Sequence, residues 1–524
     1  SAAVAVRLAP AWPQAAAEAP APPNRIAVLY FGNQSSDRDL DFLVSDLTEN
    51  LIHQLAHVEG LHVVSPGGVR PFRERAVPPD SIRRALGVGT LLGGTLRRSG
   101  DSLRLAVHLI DANTGAQLDG RVLRRPTGER FALGDDLAAE VAEFLRVRLG
   151  EEVQLRRWTA GTADARAREL LARAEEMRAK GLEAAARPDP VAVQNARRML
   201  EIADGMLEEA GRVDPRWVEP SVRRGWLALD RIGLSDMRRK RAWTRAAREH
   251  AARALALEPG YPPALEVRGT ASWLEADDSI APGRWEELVA SAEADLRAAT
   301  AADPSLASAW STLSEVLRFK VDLVEAELAA RQAYEKDAYL RDADRVLDRL
   351  YRITLLLERP DEADRWCAEG RRKFPGDWRF VQCELAILSH PSFPRAEPAR
   401  ALELLRELEE IDPPAKARLA GRPYRPIFRT MRAAVVLARD GQEARARSLL
   451  ARARRDAGHD PALRLFLLYD EAYLRLVLGE EERAFALLDG YVRARPELKR
   501  YVLRDPQFRP LLRVPEYAAR ARSW

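Results

Sequence analysis

The sequence predicts a small α+β domain followed by an all-α superhelical solenoid. Three observations lead there: a spaced pattern of small residues that recurs over more than half of the chain, a different patterning in the first 150 residues, and a length too great for one core. The pattern is an Ala, a small or aliphatic residue four positions on, a third at position seven, and Pro at position twelve. It reads Ala203, Leu207, Ala210, Pro215, then Ala247, Ala251, Ala254, Pro259, then Ala292, Leu296, Ala299, Pro304. It continues as Ala363, Cys367, Gly370, Pro375, then Ala401, Leu405, Leu408, Pro413, and Ala484, Leu488, Tyr491, Pro496. Degenerate copies run through Ala326, Ala330, Ala333, Ala338 and through Ala444, Ser448, Ala451.

Offsets of four and seven place three side chains on one helix face. Small side chains there let a neighbouring helix approach closely, and Pro ends the helix because it lacks an N–H and clashes with the preceding turn. Pro304 to Ala338 is 34 residues and Ala338 to Pro375 is 37, whereas Pro215 to Pro259 is 44 and Pro259 to Pro304 is 45. The longer periods predict longer helices or insertions. The helix after Pro304 carries Ala307, Trp310 and Leu313 as the partner face. Together these residues resemble the tetratricopeptide repeat (TPR), a helix–turn–helix unit of about 34 residues. The resemblance implies about eight repeats over residues 160–500 and a tail over 501–524.

Residues 25–155 follow another grammar. Ile26–Phe31 is an apolar run expected as a strand, and 39–58 an amphipathic helix with Phe42, Leu47, Leu51, Leu55 and Val58 on or near one face. Leu61–Val64 is a second expected strand and Ser81–Leu86 a short helix. Residues 89–98 and 102–111 alternate around Ser99-Gly100-Asp101 and predict a hairpin. Asn113-Thr114-Gly115 turns into a strand near 117–124, and a helix from Phe131 to Leu149 is expected to close the unit. The runs IAVLYF, LTENLIHQLAHVEGLHVV and ALGVGTLLGGTLRRSGDSLRLAVHLIDANTGAQL resemble a TolB-type amino-terminal domain, with departures at Tyr30, Val44-Ser45-Asp46 and Leu118-Asp119. Such domains precede TPR repeats in bacterial membrane serine/threonine kinases and adenylate cyclases. The tail, Arg504 to Tyr517, is similar to the end of those proteins.

Composition narrows the function. The 83 basic residues nearly balance 79 acidic ones, for a net charge of +4, which predicts mixed solvated faces and no nucleic-acid partner. The cluster Met237-Arg-Arg-Lys-Arg241 with Trp243, Arg245 and Arg248 is read as a solvated helix face. No run of 18 apolar residues occurs. The Ala/Pro-rich stretch 1–24 reads as a tether to a membrane segment upstream, placing the chain in the periplasmic part of the envelope, with a cytoplasmic location as the alternative. Cys367 and Cys383 fall on adjacent helices and are expected as buried free thiols, a disulfide being the alternative.

The chain carries no kinase HRD or DFG motif and no nucleophile elbow. Gly87, Gly89, Gly93 and Gly94 follow a helix rather than a strand, which predicts close strand packing in place of phosphate binding. Glu49, His53 and His57 lie four apart on one helix face, but no HExxH, CxxC or third-ligand arrangement supports a zinc site, and a solvated polar face is expected. Expectation therefore settles on no enzyme, no cofactor and no metal. Stacked hairpins curve, so their first helices line a groove suited to a protein or peptide partner. The register places Ser308, Ser311, Glu315, Arg318, Arg345, Asp348 and Arg352 in that groove. Self-association is a further expectation. The resemblance implies the non-catalytic sensor region of a kinase-type receptor, any enzyme lying upstream; the alternative is a stand-alone periplasmic scaffold.

Overall fold

A computed structural model describes residues 21–22, 24–35, 37–56, 61–73, 77–126, 141, 155, 158–159, 161–185, 189–235, 237–276, 283–336, 343–419 and 422–524. The chain divides into two compact units near Gln154 and Leu155.

The first unit is a mixed sheet with helices. Its strands are β1 (Arg25–Val28), β2 (Gly32–Asn33), β3 (His62–Val63), β4 (Thr90–Ser99), β5 (Ser102–Asp111) and β6 (Gln117–Pro126), interspersed with helices α1 (Asp39–Ala56), α2 (Pro66–Val69) and α3 (Pro79–Leu86). The sheet order is β3-β1-β4-β5-β6, with β2 also on β4. β1 runs parallel to β3 and β4, while β4, β5 and β6 form an antiparallel meander turned at Gly100 and Gly115, both in the left-handed region. Leu40, Leu43, Val44, Leu47, Leu51, Ile52 and Leu55 of α1 are buried in the core that covers the sheet. Phe42 is a correction: it stands on the opposite face, 71% exposed. Gly94 is required by packing, because a Cβ would lie 2.2 Å from the Phe31 ring and 2.4 Å from the Ala106 carbonyl oxygen. The expected helix Phe131–Leu149 lies outside the described residues except for Val141, which is helical and buried.

The second unit contains eight antiparallel helix pairs among the described residues. They are α4 (Ala165–Ala185) with α5 (Pro190–Val213), α6 (Glu219–Ile232) with α7 (Met237–Leu257), α8 (Pro262–Glu275) with α9 (Trp285–Ala302), and α10 (Ala307–Phe319) with α11 (Leu323–Lys336). There follow α12 (Ala343–Leu356) with α13 (Pro360–Lys373), and α14 (Trp378–Ser389) with α15 (Pro398–Ile411). After the short α16 (Pro414–Leu419) come α17 (Arg425–Arg439) with α18 (Glu443–Ala457), and α19 (Pro461–Val477) with α20 (Glu481–Ala494). The tail adds α21 (Lys499–Arg504), α22 (Arg509–Leu512) and α23 (Pro515–Ala521). The long periods near the start arise from longer second helices, α7 with 21 residues and α9 with 18 against 14 in α11 and α13, and in the second of them also from the longer chain segment between Glu275 and Trp285.

The small-residue register is the packing face. Ala203, Ala247, Ala292, Ala326, Ala363, Ala401 and Ala484 are all fully buried, as are Ala210, Ala254, Ala299 and Ala333. In α18 the register is corrected by two positions: Ala446, Leu450 and Ala453 are buried, while Ala444, Ser448 and Ala451 are exposed. The degenerate copy lacked the closing Pro that anchors the frame elsewhere. Asp214 and Asp303, each just before a Pro, adopt extended backbone and end α5 and α9, and Asp412 before Pro413 leaves the helical region to end α15. At Gly370 a Cβ would sit 2.1 Å from the buried Phe380 ring, so only glycine admits this contact between α13 and α14. The expectation of separate thiols is also corrected. The same close contact brings Cys367 and Cys383 together as a disulfide, with Cα atoms 6.1 Å apart.

Two buried histidines give the unit an acid-sensitive core. Burial, then the Arg224 and Arg253 charges, push His250 down to about 4. Burial, then Arg432, Arg439 and Arg509, push His390 down to about 3. Each stays neutral in the fold while the unfolded chain takes up a proton near pH 6.5. Stability present above about pH 6.5 is therefore expected to fall as pH drops toward 4, by about 3 kcal/mol per histidine. Urea melts across this range check it: His250→Gln with His390→Gln should flatten the slope, and an unchanged slope defeats the assignment.

Candidate protein-interaction groove

Consecutive first helices pack against one another more closely than consecutive second helices do, which bends the stack with the first helices inside. The inner face is polar because these helices are amphipathic twice over. Leu313, Val316 and Leu317 of α10 and Val346, Leu350 and Ile353 of α12 are buried between helices. The remaining stripe carries charges at i, i+3 and i+4.

That stripe pairs within and between helices. Arg318 grips Glu315 through two bonds of 2.9 Å, and Arg352 grips Asp348 at 2.9 and 3.2 Å. Arg349 donates to the Ser311 hydroxyl on the preceding first helix. Burial opposes the Glu315 charge, but Arg318, Arg349 and Arg352 surround it and hold its carboxyl down to about 2. Further along, Arg379 pairs with Asp377 at 2.6 Å and Asp344 at 3.2 Å. Arg425 lies over the Trp378 ring at 4.2 Å, and Arg432 donates to Asp470 at 2.6 Å.

Of the seven residues the sequence placed in the groove, Ser311, Glu315, Arg318, Asp348 and Arg352 come together in this lattice. Ser308 is half-buried at its edge and Arg345 is exposed. Ser311 and Arg318 are a correction in one respect: they are buried, 2% and 6% exposed, and are used between helices rather than toward open solvent. Sequence reasoning missed Arg349, although it shares the i, i+4, i+7 face of Arg345 and Arg352. It also missed Tyr501, which stacks on Phe319 with centroids 6.1 Å apart and lies 6.0 Å from the Arg318 guanidinium. No periodic signal marks Tyr501, because it falls outside the repeats.

Serial helix pairs with this small-residue register define a TPR-type helical repeat fold, carried here beside a small mixed sheet. No family model matches the chain. A protein carrying the name putative adenylate cyclase 3, from Rhizobium meliloti (strain 1021), is 31% identical over 191 residues, which is 36% of this chain and 31% of that protein. The chain thus spans about a third of its relative's length. Among solved structures, a thermophilic TPR protein of Thermus thermophilus is 20% identical, covering 41% of this chain and 99% of its own, with a TM-score of 0.31. Pseudomonas aeruginosa PilF is 16% identical over 54% of this chain and 97% of its own, with a TM-score of 0.25. Yeast Tom70 is 13% identical over 75% and 82%, with a TM-score of 0.35. No described helix is long and apolar enough to cross a membrane.

Proposed function

We propose that this chain is a non-catalytic protein-interaction region of a bacterial signalling protein, taking a protein or peptide partner along its first helices. The carrying observation is the polar inner stripe, where guanidinium–carboxylate pairs from consecutive first helices form one surface. Residues 25–155 act in this reading as a TolB-like sensor domain, and residues 160–500 as the TPR receptor. The whole belongs to the extracytoplasmic part of a kinase- or cyclase-type protein whose enzyme lies upstream. The shared segment with a protein named as an adenylate cyclase supports the signalling context.

The test is comparative cross-linking of the full chain in envelope extracts, followed by affinity measurement with the purified partner. Reversing the exposed charge with Arg345→Glu is expected to weaken binding at least tenfold, without changing the melting temperature. Undiminished binding by a folded variant would remove the groove from consideration. A turnover assay on the same chain addresses the opposite reading, since activity abolished by one acidic or serine substitution would establish an enzyme.

A further inference from the structure

The inner face is not empty: the chain's own tail lies across it. The tail's root is fixed. Val502, Phe508 and Leu511 are fully buried in the apolar core of the last two helix pairs, with Phe508 edge-on to Tyr469 at 5.1 Å. Asp505 accepts from the Tyr469 hydroxyl, and the Gln507 side-chain oxygen accepts from Arg432 at 2.5 Å.

The outer edge of the same segment is held differently. Arg500 meets Asp322 at 3.3 Å and Arg509 meets Glu358 at 2.6 Å, both pairs well exposed to solvent. Exposed ion pairs are weak and screened by salt. Beside them Tyr501 stacks on Phe319, which also touches Trp273 at 5.2 Å and Trp285 at 6.2 Å. The edge therefore joins the fourth and fifth helix pairs to residues of the tail, Arg500 lying 178 positions beyond Asp322, through contacts far weaker than those at the root.

A backbone feature accompanies one of these contacts. In the seventh and eighth pairs, the turn after the first helix uses Gly441 (φ 77°) and Gly479 (φ 76°) in the left-handed region. In the fourth and fifth pairs the same turn uses Val321 (φ 64°) and Glu358 (φ 60°). A non-glycine residue is disfavoured there; the Val321 side chain is buried, whereas the Glu358 side chain binds Arg509.

We propose that Lys499–Arg509 is a latch across the inner face, and that the Arg318–Phe319 seat beneath Tyr501 is a docking site for an aromatic residue with a basic neighbour on a partner peptide. The occupant seen in cis defines that chemistry: Tyr501 supplies the ring for the stack and the cation–π contact, and Arg500 supplies the cation for Asp322. A partner segment of the same character takes the seat as the latch edge lifts, while the root stays on the last two pairs. This deepens the reading of the groove as a partner site and rests on it.

The probe is a fluorescent nine-residue peptide with the sequence of residues 497–505, added to the full chain. It is expected to bind Tyr501→Ala at least tenfold more tightly than wild type. The gain should vanish when the peptide's own tyrosine is alanine, or when Phe319→Ala is added to the chain. Equal binding to both chains, or binding to neither, overturns the proposal. Amide exchange supplies a readout independent of any refolding by Tyr501→Ala. Glu358→Gly removes an ion pair yet relieves the turn, so it should leave the melting temperature level or raised while exchange in 499–504 and 320–322 rises about two- to threefold. Unchanged exchange there also overturns it. Neither measurement touches Arg345 or Asp348, so a failed latch and a failed groove give separate results.

Discussion

Ala299→Arg is expected to cost about 3–5 kcal/mol and to open the third helix pair locally. Ala299 is the third packing residue of α9, fully buried in a cluster with Leu265, Leu296, Ala309 and Leu313. No space for a long side chain exists where two helix backbones approach this closely, and a guanidinium arriving there meets only apolar neighbours. Ala299→Ser should cost much less, since it adds one atom and can bond back to the preceding turn. Solenoid stability is a sum over neighbouring repeats, so the loss should surface as rapid amide exchange in α8, α9 and α10 as well as an earlier urea midpoint. An Arg variant that melts with wild type would mean that the register is misread.

Replacing Arg429 should be as damaging by a different route. It is the largest fully buried side chain of the unit and satisfies four acceptors at once. It donates to the Asp412 carboxylate, to the Asp412 carbonyl at 2.8 Å, to the Leu408 carbonyl at 3.3 Å and to Gln382 at 3.2 Å. The Asp412 carbonyl lies just past the end of α15, beyond the helix's own N–H donors, while the Leu408 carbonyl also accepts from the Asp412 N–H at 3.0 Å. Arg429→Met strands the Asp412 carbonyl and leaves a buried carboxylate facing Arg425 alone, 3.1 Å away, for an expected loss of about 3–5 kcal/mol. Arg429→Lys should recover less than half, because one ammonium cannot span carboxylate, carbonyls and amide as a planar fork does. Urea denaturation of the three proteins decides this, and near-identical midpoints would refute it.

Legibility followed range of interaction. The packing face of α5, α7, α9, α13 and α15 was readable because Ala, Leu and Pro at fixed offsets act within one helix. In α18 the frame slipped by two, since several Ala residues and no Pro leave more than one register open. The stripe from Ser308 to Arg352 was readable as polar, but the burial of Ser311 and Arg318 was not. That burial depends on how near the next first helix comes and on the ring of Tyr501 above it.

The amino-acid order alone settled that this chain makes helix hairpins with small-residue seams beside a short mixed sheet. Periodicity, helix-ending prolines and hairpin turns are local, and local preferences survive without knowledge of the rest of the fold. Tertiary structure alone decided that Cys367 meets Cys383, that Arg349 reaches Ser311, and that the tail crosses the inner face to set Tyr501 on Phe319. Those pairings join residues from 16 to about 180 positions apart. The first follows from the close approach of α13 and α14 at Gly370, and the tail contact from curvature that accumulates from one hairpin to the next, a property of the stack that no single repeat carries.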